Sequence, residues 1–534
     1  MSPWQARIES GKTLTFSGPV ALADILKQAE PGNARAIVLA KANNHIRSLR
    51  ERLSKDTSIE WVPLNSLEGR RAYQQTLCLI LVRAFEELYP EKELIIDHSL
   101  GKGLYCRAKN NEAFTSSVLR DLKLHMVEII GRDDPVEPFD PQTPPDSKPL
   151  STLFLYRCGP TVTGMGYPLL PSAGWLKTFD LLREPPGMIL LLPDEDNINA
   201  LPKYVPQKKL FHVFHEYGQW MEILGIETPE DLNRAIENGE ISDLIKIAEA
   251  LHEKKIAFIA DAITQRRKDA RLVLIAGPSS SGKTSFIKRL NIQLRVNGLR
   301  PLTLSLDDYF LDRDKTPVDG HGNPDWESLQ ALDTARFNRD LTDLLDGNEV
   351  ELPVFDFVAG RSRPGRHVRI GPEQPILIEG LHGLNNQLTP KFPASGKYKI
   401  YVSALTQLNL TPYLRVPTSD VRLLRRMVRG YKFRGHSAEQ TLMTWRLVRL
   451  GEEKYIFPFQ ETADVIFNSS VIYELNVLRD LAAPLLDAVP ETDPGFPEAE
   501  RIRRLLDAFE PVVWDQVPGN SILREFIGGS SFDY

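Results

Sequence analysis

Short apolar runs of strand length alternate with helical spacing of apolar residues along the C-terminal half of the chain. This alternation predicts buried strands separated by helices. The strand candidates are residues 271–276, 302–306, 375–379, 398–402 and 463–467. Because buried strands that alternate with helices form parallel sheets, we expect an α/β domain whose parallel sheet is covered by helices on both faces.

The N-terminal half has a different pattern, which predicts α+β units. Residues 13–16 alternate as a strand, residues 20–26 have helical spacing, and residues 36–40 are a further strand candidate, together typical of a small β-grasp-like unit. A long helix is expected over residues 70–89, closed by Pro90. Residues 134–151 contain six prolines among polar residues and are expected to form a loop or linker.

The length of 534 residues exceeds what one core supports, and about three domains is the usual expectation for such a chain. We place a first domain at residues 1–65, a second at 66–245, a third at 246–485 and a C-terminal helical tail at 486–534. A charged helical run over residues 248–270 leads into the first strand of the third domain.

Composition narrows the class of protein. The composition, with 42% hydrophobic and 25% charged residues, is typical of an ordinary globular protein. The net charge of −6 argues against nonspecific nucleic-acid binding. The three cysteines form no C-x-x-C pair, which suits a reducing compartment. Neither a signal peptide pattern nor an apolar run of membrane-spanning length is found, so we expect a cytoplasmic protein without a membrane partner.

The most specific motif is an intact G-x-x-x-x-G-K-[ST] pattern between the first strand and the following helix of the third domain. It comprises Gly277, Pro278, Ser279, Ser280, Ser281, Gly282, Lys283 and Thr284. A strand, a glycine turn and a helix in this order aim backbone N–H groups at phosphate oxygens. The alternative is a chance Gly/Ser-rich loop, but such a loop would not need the complete pattern in this context. We therefore expect a nucleoside triphosphate here, with Lys283 on its β- and γ-phosphates and the Thr284 hydroxyl on Mg²⁺.

An acidic residue beside this loop is the candidate catalytic base. Phosphoryl transfer to a hydroxyl needs a carboxylate that orients the hydroxyl and takes its proton. Asp307 ends the second strand, at the sheet edge where open α/β sheets bind ligands. Position alone leaves open whether Asp307 or Asp308 is instead a turn or helix N-cap residue.

The order of motifs in this half resembles the uridine kinase and phosphoribulokinase family. The resemblance covers about residues 265–485 and includes, besides the phosphate loop, residues 304–310, 325–327, 331–333, 347, 352–357, 378–380, 422–429, 434–435 and 463–466. It implies an ATP-dependent kinase that phosphorylates an alcohol group with Mg²⁺ as cofactor and a small molecule as acceptor.

The resemblance also implies roles for single residues. Asp307 would be the base, with Lys283 and Arg429 as the other catalytic residues; Ser285, Arg425 and Arg434 would join the loop in binding ATP. Thr284 and Glu379 would hold the metal, although Glu379 could also be a solvated carboxylate at a strand end. The acceptor would contact Asp307, Tyr309, Glu327, Phe355 and Arg363.

Departures from the family pattern leave the acceptor open. Gly430 follows Arg429 where the family usually has aspartate, and Glu327 stands where uridine kinases read the ribose diol with aspartate. Phe355 replaces a tyrosine, and residues 358–361 lack the base-reading histidine, so hydrogen bonds to a uracil edge are missing. A nucleoside such as uridine or cytidine is expected, with another sugar or polyol as the alternative.

The N-terminal half resembles the TGS and editing domains of threonyl-tRNA synthetase, through residues 62–69, 86–90 and 97–105. The four catalytic positions of such editing domains are occupied here by Gln75, Leu79, Arg157 and Thr161, so we expect no hydrolysis of mischarged tRNA.

His98 and Cys158 are expected to be structural. The fusion resembles a bacterial nucleoside kinase family. A tRNA- or ribosome-binding regulator switched by nucleotide remains a third reading, and the oligomeric state and the role of residues 524–531 stay open.

Overall fold

The computed structural model describes residues 3–32, 36–140, 152–318, 322 and 324–533. Its first region is a mixed sheet with one helix. The elements are β1 (Trp4–Ile8), β2 (Thr13–Phe16), β3 (Val20–Ala21), α1 (Leu22–Ala29), β4 (Ile37–Ala42), β5 (His45–Ser48), β6 (Arg52–Leu53) and β7 (Thr57–Pro63). The sheet has the order β2-β1-β7-β4-β5, with β1 and β7 parallel. Buried side chains of α1 share one core with the sheet, so this region is an α+β unit.

The second region is built around one buried helix. Its elements are α2 (Leu67–Leu88), β8 (Leu94–Leu100), β9 (Gly103–Ala108), α3 (Ser116–Gly131), β10 (Glu137–Pro138), β11 (Phe154–Cys158), β12 (Thr161–Met165), β13 (Asp180–Glu184) and β14 (Gly187–Leu191). The antiparallel sheet β13-β14-β9-β8 and the sheet β10-β11-β12 lie in this region. The predicted long helix is confirmed as α2, which is buried on nearly all sides over residues 76–85. Within the predicted proline-rich linker, residues 141–151 lie outside the described part of the chain.

Three helices connect this region to the third: α4 (Lys208–Leu224), α5 (Pro229–Glu237) and α6 (Ile241–Gln265). The third region then contains β15 (Leu272–Ala276), α7 (Lys283–Val296), β16 (Leu302–Ser305), α8 (Thr334–Leu345), β17 (Val350–Asp356), β18 (Arg361–Val368), β19 (Ile376–Glu379), β20 (Lys397–Ser403), β21 (Asn409–Thr411), β22 (Leu414–Arg415), α9 (Thr418–Arg434), α10 (Ala438–Tyr455), β23 (Val465–Asn468), α11 (Glu474–Asp487), α12 (Phe496–Asp507) and α13 (Arg524–Ile527).

The predicted parallel sheet is confirmed, with the order β16-β19-β15-β20-β23 and every pairing parallel. Alternate residues of β15 enter two different cores. Val273 packs in the core that contains Phe286 of α7, whereas Leu274 packs in the core that contains Phe337 of α8. Helices therefore cover both faces, and the carboxyl ends of the strands form one edge.

The segment predicted as a C-terminal tail belongs to the core of the third region. Helix α11 crosses the expected boundary at residue 486, and Phe509, Ile522 and Phe526 are fully buried in the same core as Phe286. These apolar side chains remove the segment from solvent, so it is not an appendage. Among the described residues, no helix is both long enough and apolar enough to cross a membrane.

Candidate active site

The phosphate loop joins β15 to α7 with a backbone that depends on glycine. Gly282 has a φ of 82°, and a β-carbon added to Gly277 would lie only 2.0 Å from the carbonyl oxygen of Val402. The ammonium group of Lys283 donates to the carbonyl oxygens of Gly277 (2.9 Å) and Pro278 (3.1 Å). The loop therefore wraps around the Lys283 ammonium group at the start of α7.

The loop forms one wall of a cleft with a volume of about 330 Å³ at the carboxyl edge of the sheet. Glu379 at the end of β19 and Asp307 in the 3-10 turn after β16 supply acidic side chains, and helices α9 and α10 form the opposite wall. The cleft brings together most of the predicted residues: Ser279, Ser280, Ser281, Gly282, Lys283, Thr284, Asp307, Glu327, Glu379, Arg429 and Arg434. Residues more than 150 positions apart in the chain thus share one cavity.

Burial controls the charges in this cleft. It lowers the pKa of Lys283, an effect that the negative charges of Glu379, Glu525 and Asp307 oppose. Burial also raises the pKa of Asp307, and it raises the pKa of Glu379 to about 7. The pKa of Glu327 is likewise raised to about 7 by burial, with the Glu452 charge acting in the same direction. Carboxyl groups perturbed in this way are typical of sites that bind cations or move protons.

The cleft fits a magnesium ion that is bound together with phosphates. In the described part of the chain, no three His, Cys, Asp or Glu side chains lie close enough to hold a metal by themselves. Mg²⁺ in phosphoryl-transfer sites usually takes only one or two protein ligands and completes its shell with phosphate oxygens and water. Thr284 and Glu379 both line the cleft, so they could serve as the one or two protein ligands.

Two predicted ATP-binding residues donate to glutamate side chains in this structure. Arg425 is fully buried, and its guanidinium donates to Glu474 (2.7 Å) and to the carbonyl oxygen of Ser469 (2.9 Å) instead of lining the cleft. The backbone N–H and the hydroxyl of Ser285 both donate to Glu525. Helical spacing could not decide which arginine of α9 faces inward, because buried acids on other elements capture Arg425.

Three predicted acceptor residues also lie outside the cleft lining. Tyr309 is buried, with its hydroxyl donating to Asp340 (3.1 Å). Arg363 lies on the β17–β18 hairpin, where its exposed side chain pairs with Asp356 (2.8 Å). Phe355 lies behind the cleft, with its ring centroid 5.7 Å from that of Phe310, which does line it. Contact of these residues with an acceptor therefore stays a prediction that the cleft geometry does not favour.

The structure adds residues that the motif analysis missed. Glu452 of α10 accepts a hydrogen bond from the backbone N–H of Ser279 (2.9 Å) while Arg422 of α9 donates to both of its carboxylate oxygens (2.8 and 2.5 Å). Arg426 donates to the hydroxyl of Ser279 (3.0 Å). Glu525 of α13 accepts a hydrogen bond from the backbone N–H of Ser285, in the first turn of α7. Glu452 and Glu525 belong to no local pattern, because each contacts the loop from a distant part of the chain, whereas Arg422 and Arg426 lie in the arginine-rich segment 422–435 but are not among the arginines predicted to bind ATP.

The four positions compared with an editing site have different surroundings. Leu79 is fully buried, the Thr161 hydroxyl donates to Glu86 (2.8 Å), the Arg157 guanidinium lies over the ring of Phe139 (4.4 Å), and Gln75 lines a separate cavity.

His98 stacks on Phe214 at a centroid distance of 4.0 Å, and the buried Cys158 sulfur accepts from Arg83 (3.3 Å), so both residues are packed as predicted.

Comparisons with known proteins agree with the site in the third region. Residues 272–474 match the model of the Phosphoribulokinase / Uridine kinase family, and this part of the chain is a kinase domain of that family. The match implies a phosphotransferase that uses ATP. The chain is similar to the uridine kinase of Staphylococcus aureus strain JH9, with 28% identity over 200 residues that make up 37% of this chain and 87% of the relative. The Staphylococcus aureus strain Newman uridine kinase matches equally.

Two solved structures are similar at low scores. One, described as a possible uridine kinase from Bacillus stearothermophilus, has a TM-score of 0.28 and 21% identity, covering 40% of this chain and 98% of that chain. A D-glycerate 3-kinase from Cryptococcus neoformans has a TM-score of 0.22 and 15% identity, covering 51% of this chain and 87% of that chain. The family model does not reach residues 1–271, so the resemblance to TGS and editing domains stays a prediction.

Proposed function

We propose that this protein transfers the γ-phosphoryl group of ATP to a hydroxyl of a ribonucleoside. The observation that supports this most is the convergence of the phosphate loop, Asp307 and Glu327 in one cleft. A protein that only switches between nucleotide states needs no acceptor-binding carboxylates beside the phosphate loop. The presence of Asp307 and Glu327 in the same cleft therefore favours an enzyme over a tRNA- or ribosome-binding switch.

In this proposal the loop and α7 bind the phosphates. The N–H groups of the loop and of the first turn of α7 donate to phosphate oxygens, and Lys283 places its charge on the β- and γ-phosphates. Arg429 and Arg434 approach from α9 and stabilise the negative charge that spreads over the transferred group. Thr284 and Glu379 would hold Mg²⁺, which would neutralise part of the phosphate charge.

Asp307 is the proposed general base. It lies in the short 3-10 turn that directly follows β16, the strand next to β19, so its carboxylate lines the cleft where the γ-phosphate would lie. Desolvation within the cleft raises the pKa of Asp307 above its ordinary value, which makes this carboxylate a stronger base than an aspartate in open water. It would orient the acceptor hydroxyl and accept its proton as the bond to phosphorus forms.

Glu327 is the proposed reader of the acceptor's vicinal hydroxyls. Its carboxylate lies in the cleft with Asp307, and aromatic rings of Phe310 and Trp326 line the same cavity. A carboxylate accepts two hydroxyl hydrogen bonds, and aromatic rings provide an apolar surface for a base. Because Phe355 carries no polar group, the base would be selected by shape more than by hydrogen bonds.

The same lack of base-reading groups favours a second candidate, a sugar or polyol kinase. A coupled assay of ATP consumption with uridine, cytidine, adenosine, free pentoses and polyols separates the two. We expect the ribonucleosides to be turned over fastest. Turnover of pentoses or polyols alone would replace the nucleoside by the second candidate, and failure of every acceptor in the presence of Mg²⁺ would remove the enzymatic proposal.

A further inference from the structure

The C-terminal segment around α13 lies against the start of α7, where ATP phosphates are expected. One carboxylate oxygen of Glu525 accepts from the backbone N–H (3.1 Å) and the hydroxyl (2.8 Å) of Ser285. The other oxygen accepts from the guanidinium of Arg429 (2.9 Å). The Glu525 side chain is only 3% exposed, so these bonds are shielded from water.

The groups that Glu525 engages are those that a nucleotide would use. N–H groups in the first turn of the helix after a phosphate loop donate to phosphate oxygens, and Ser285 directly follows Thr284. Arg429 is the lid arginine assigned to the transferred phosphate. A carboxylate presents two negative oxygens to these donors, as a phosphate does. The same hydrogen bonds cannot serve Glu525 and a bound nucleotide together.

The segment is fitted to the loop and to α9. A β-carbon on Gly282 would lie 2.4 Å from Cγ2 of Ile522, so the isoleucine side chain packs on the glycine of the loop itself. The ring of Phe526 lies 5.0 Å from the Arg425 guanidinium, and Lys432 of α9 donates to the carbonyl oxygen of Ile527 (2.8 Å). Both elements that would enclose the phosphates therefore also hold this segment.

We infer that Glu525 competes with the nucleotide for the phosphate site, and that ATP binding displaces its carboxylate from Ser285 and Arg429. The inference rests on the proposed function, in that ATP binds at this loop. The segment lies outside residues 272–474, the part that matches the family model, so it is a separate addition to the kinase site. While the carboxylate is in place, the apparent affinity for ATP falls in proportion to the fraction of molecules that are open.

The inference is tested by calorimetric binding of a non-hydrolysable ATP analogue to the full chain. Glu525→Gln keeps the shape of the side chain and removes its charge, whereas Glu525→Ala removes the competing group. The control Glu491→Gln loses the same charge at an exposed site of the C-terminal region. We expect both Glu525 variants to bind the analogue at least roughly tenfold more tightly than the wild type, because even one of the three hydrogen bonds to the Glu525 carboxylate is worth about that factor. The control should match the wild type.

Weaker or unchanged binding in both folded Glu525 variants, with normal binding by the wild type, would overturn the competition. If instead Lys283→Ala binds the analogue as well as the wild type does, the nucleotide site itself has been misassigned, so the two failures are distinct.

Hydrogen–deuterium exchange gives an independent readout. The amide of Gly528 donates to the carbonyl oxygen of Arg524 (2.9 Å), and we expect the ATP analogue to speed exchange in this segment of the wild type. Protection of these amides on binding would show that Glu525 stays in place.

Discussion

Glu327 packs directly against Gly451, so the backbone of helix α10 sets the position of the carboxylate that we propose binds the acceptor. A β-carbon on Gly451 would lie 2.9 Å from Cγ of Glu327 and 3.2 Å from its Cβ. Both distances are too short for an unshifted side chain. The absence of a side chain at residue 451 therefore allows Glu327 to occupy the cleft between the loop and α10.

Gly451→Ala should impair acceptor binding without weakening the fold. The new methyl group would push Glu327 away, and we expect the acceptor KM to rise by about tenfold or more, since small misplacements of binding groups are costly. Alanine favours a helix over glycine by about 1 kcal/mol, which opposes any loss of stability. Steady-state kinetics should show an unchanged KM for ATP. Gly218→Ala is the matched control, because a β-carbon at that helical glycine meets open space. An unchanged acceptor KM in Gly451→Ala would mean that Glu327 does not bind the acceptor.

Glu327→Ala should erase the preference for a ribose over a deoxyribose. A hydrogen bond to a charged group is worth about 1.5–3 kcal/mol, so the wild type should turn over 2′-deoxyuridine roughly 10- to 100-fold less efficiently than uridine. The variant should treat the two nucleosides nearly alike in kcat/KM. Equal efficiencies of the wild type on both nucleosides would remove the diol-binding role.

Lys283→Ala should abolish transfer and weaken ATP binding. The ammonium group is buried in the loop, and its loss removes the positive charge on the β- and γ-phosphates. Turnover and analogue binding measured on the same preparation check this expectation. Lys246→Ala, which removes an exposed cation of α6, serves as the control. Undiminished turnover in the Lys283 variant would contradict the site.

Asp307→Asn should leave ATP binding intact and slow the chemical step. The amide keeps the shape but cannot accept a proton, and loss of a general base typically costs roughly 10²- to 10⁴-fold in rate. Single-turnover measurements separate this effect from binding. A fully active Asp307→Asn together with an inactive Glu379→Gln would mean that the roles of the two carboxylates are reversed.

Ionisation of Glu327 should lower the free energy of unfolding as the pH rises. Burial raises its pKa from 4.5 to about 7 in the folded protein, so the folded state holds this proton longer than the unfolded chain does. Stability is therefore lost as the pH rises from the unfolded pKa towards the folded one. Glu327→Gln does not titrate, and its advantage over the wild type should grow by on the order of 1–3 kcal/mol between about pH 5 and about pH 8. Urea unfolding at both pH values measures this change, with Glu491→Gln as the control. An advantage that shrinks with rising pH would contradict the burial of the Glu327 charge.

Local patterns in the sequence were sufficient to predict the strands of the parallel sheet, the long helix α2 and the phosphate loop. The strands of the parallel sheet end within two residues of their predicted limits, because continuous apolar runs mark buried strands. The loop could be recognised because all of its residues are contiguous and each one has a backbone or phosphate-directed task. Asp307 and Glu379 were predictable for a related reason, since Glu379 ends β19 and Asp307 lies in the 3-10 turn just after β16, both at the edge where the loop lies.

Tertiary structure decided which charged side chains face the cleft. Arg425 and Arg429 lie about one turn apart on α9 and therefore on the same side of the helix. Glu474 nevertheless holds Arg425 in the core, whereas Arg429 reaches the cleft. Glu452 meets Ser279 across 173 positions of sequence, and Glu525 meets Ser285 across 240. Such contacts depend on the order of strands in the sheet and on how the C-terminal helices close over it. Apolar periodicity records which residues are buried, but a buried charge is placed by the partner that neutralises it, and that partner can come from any part of the chain.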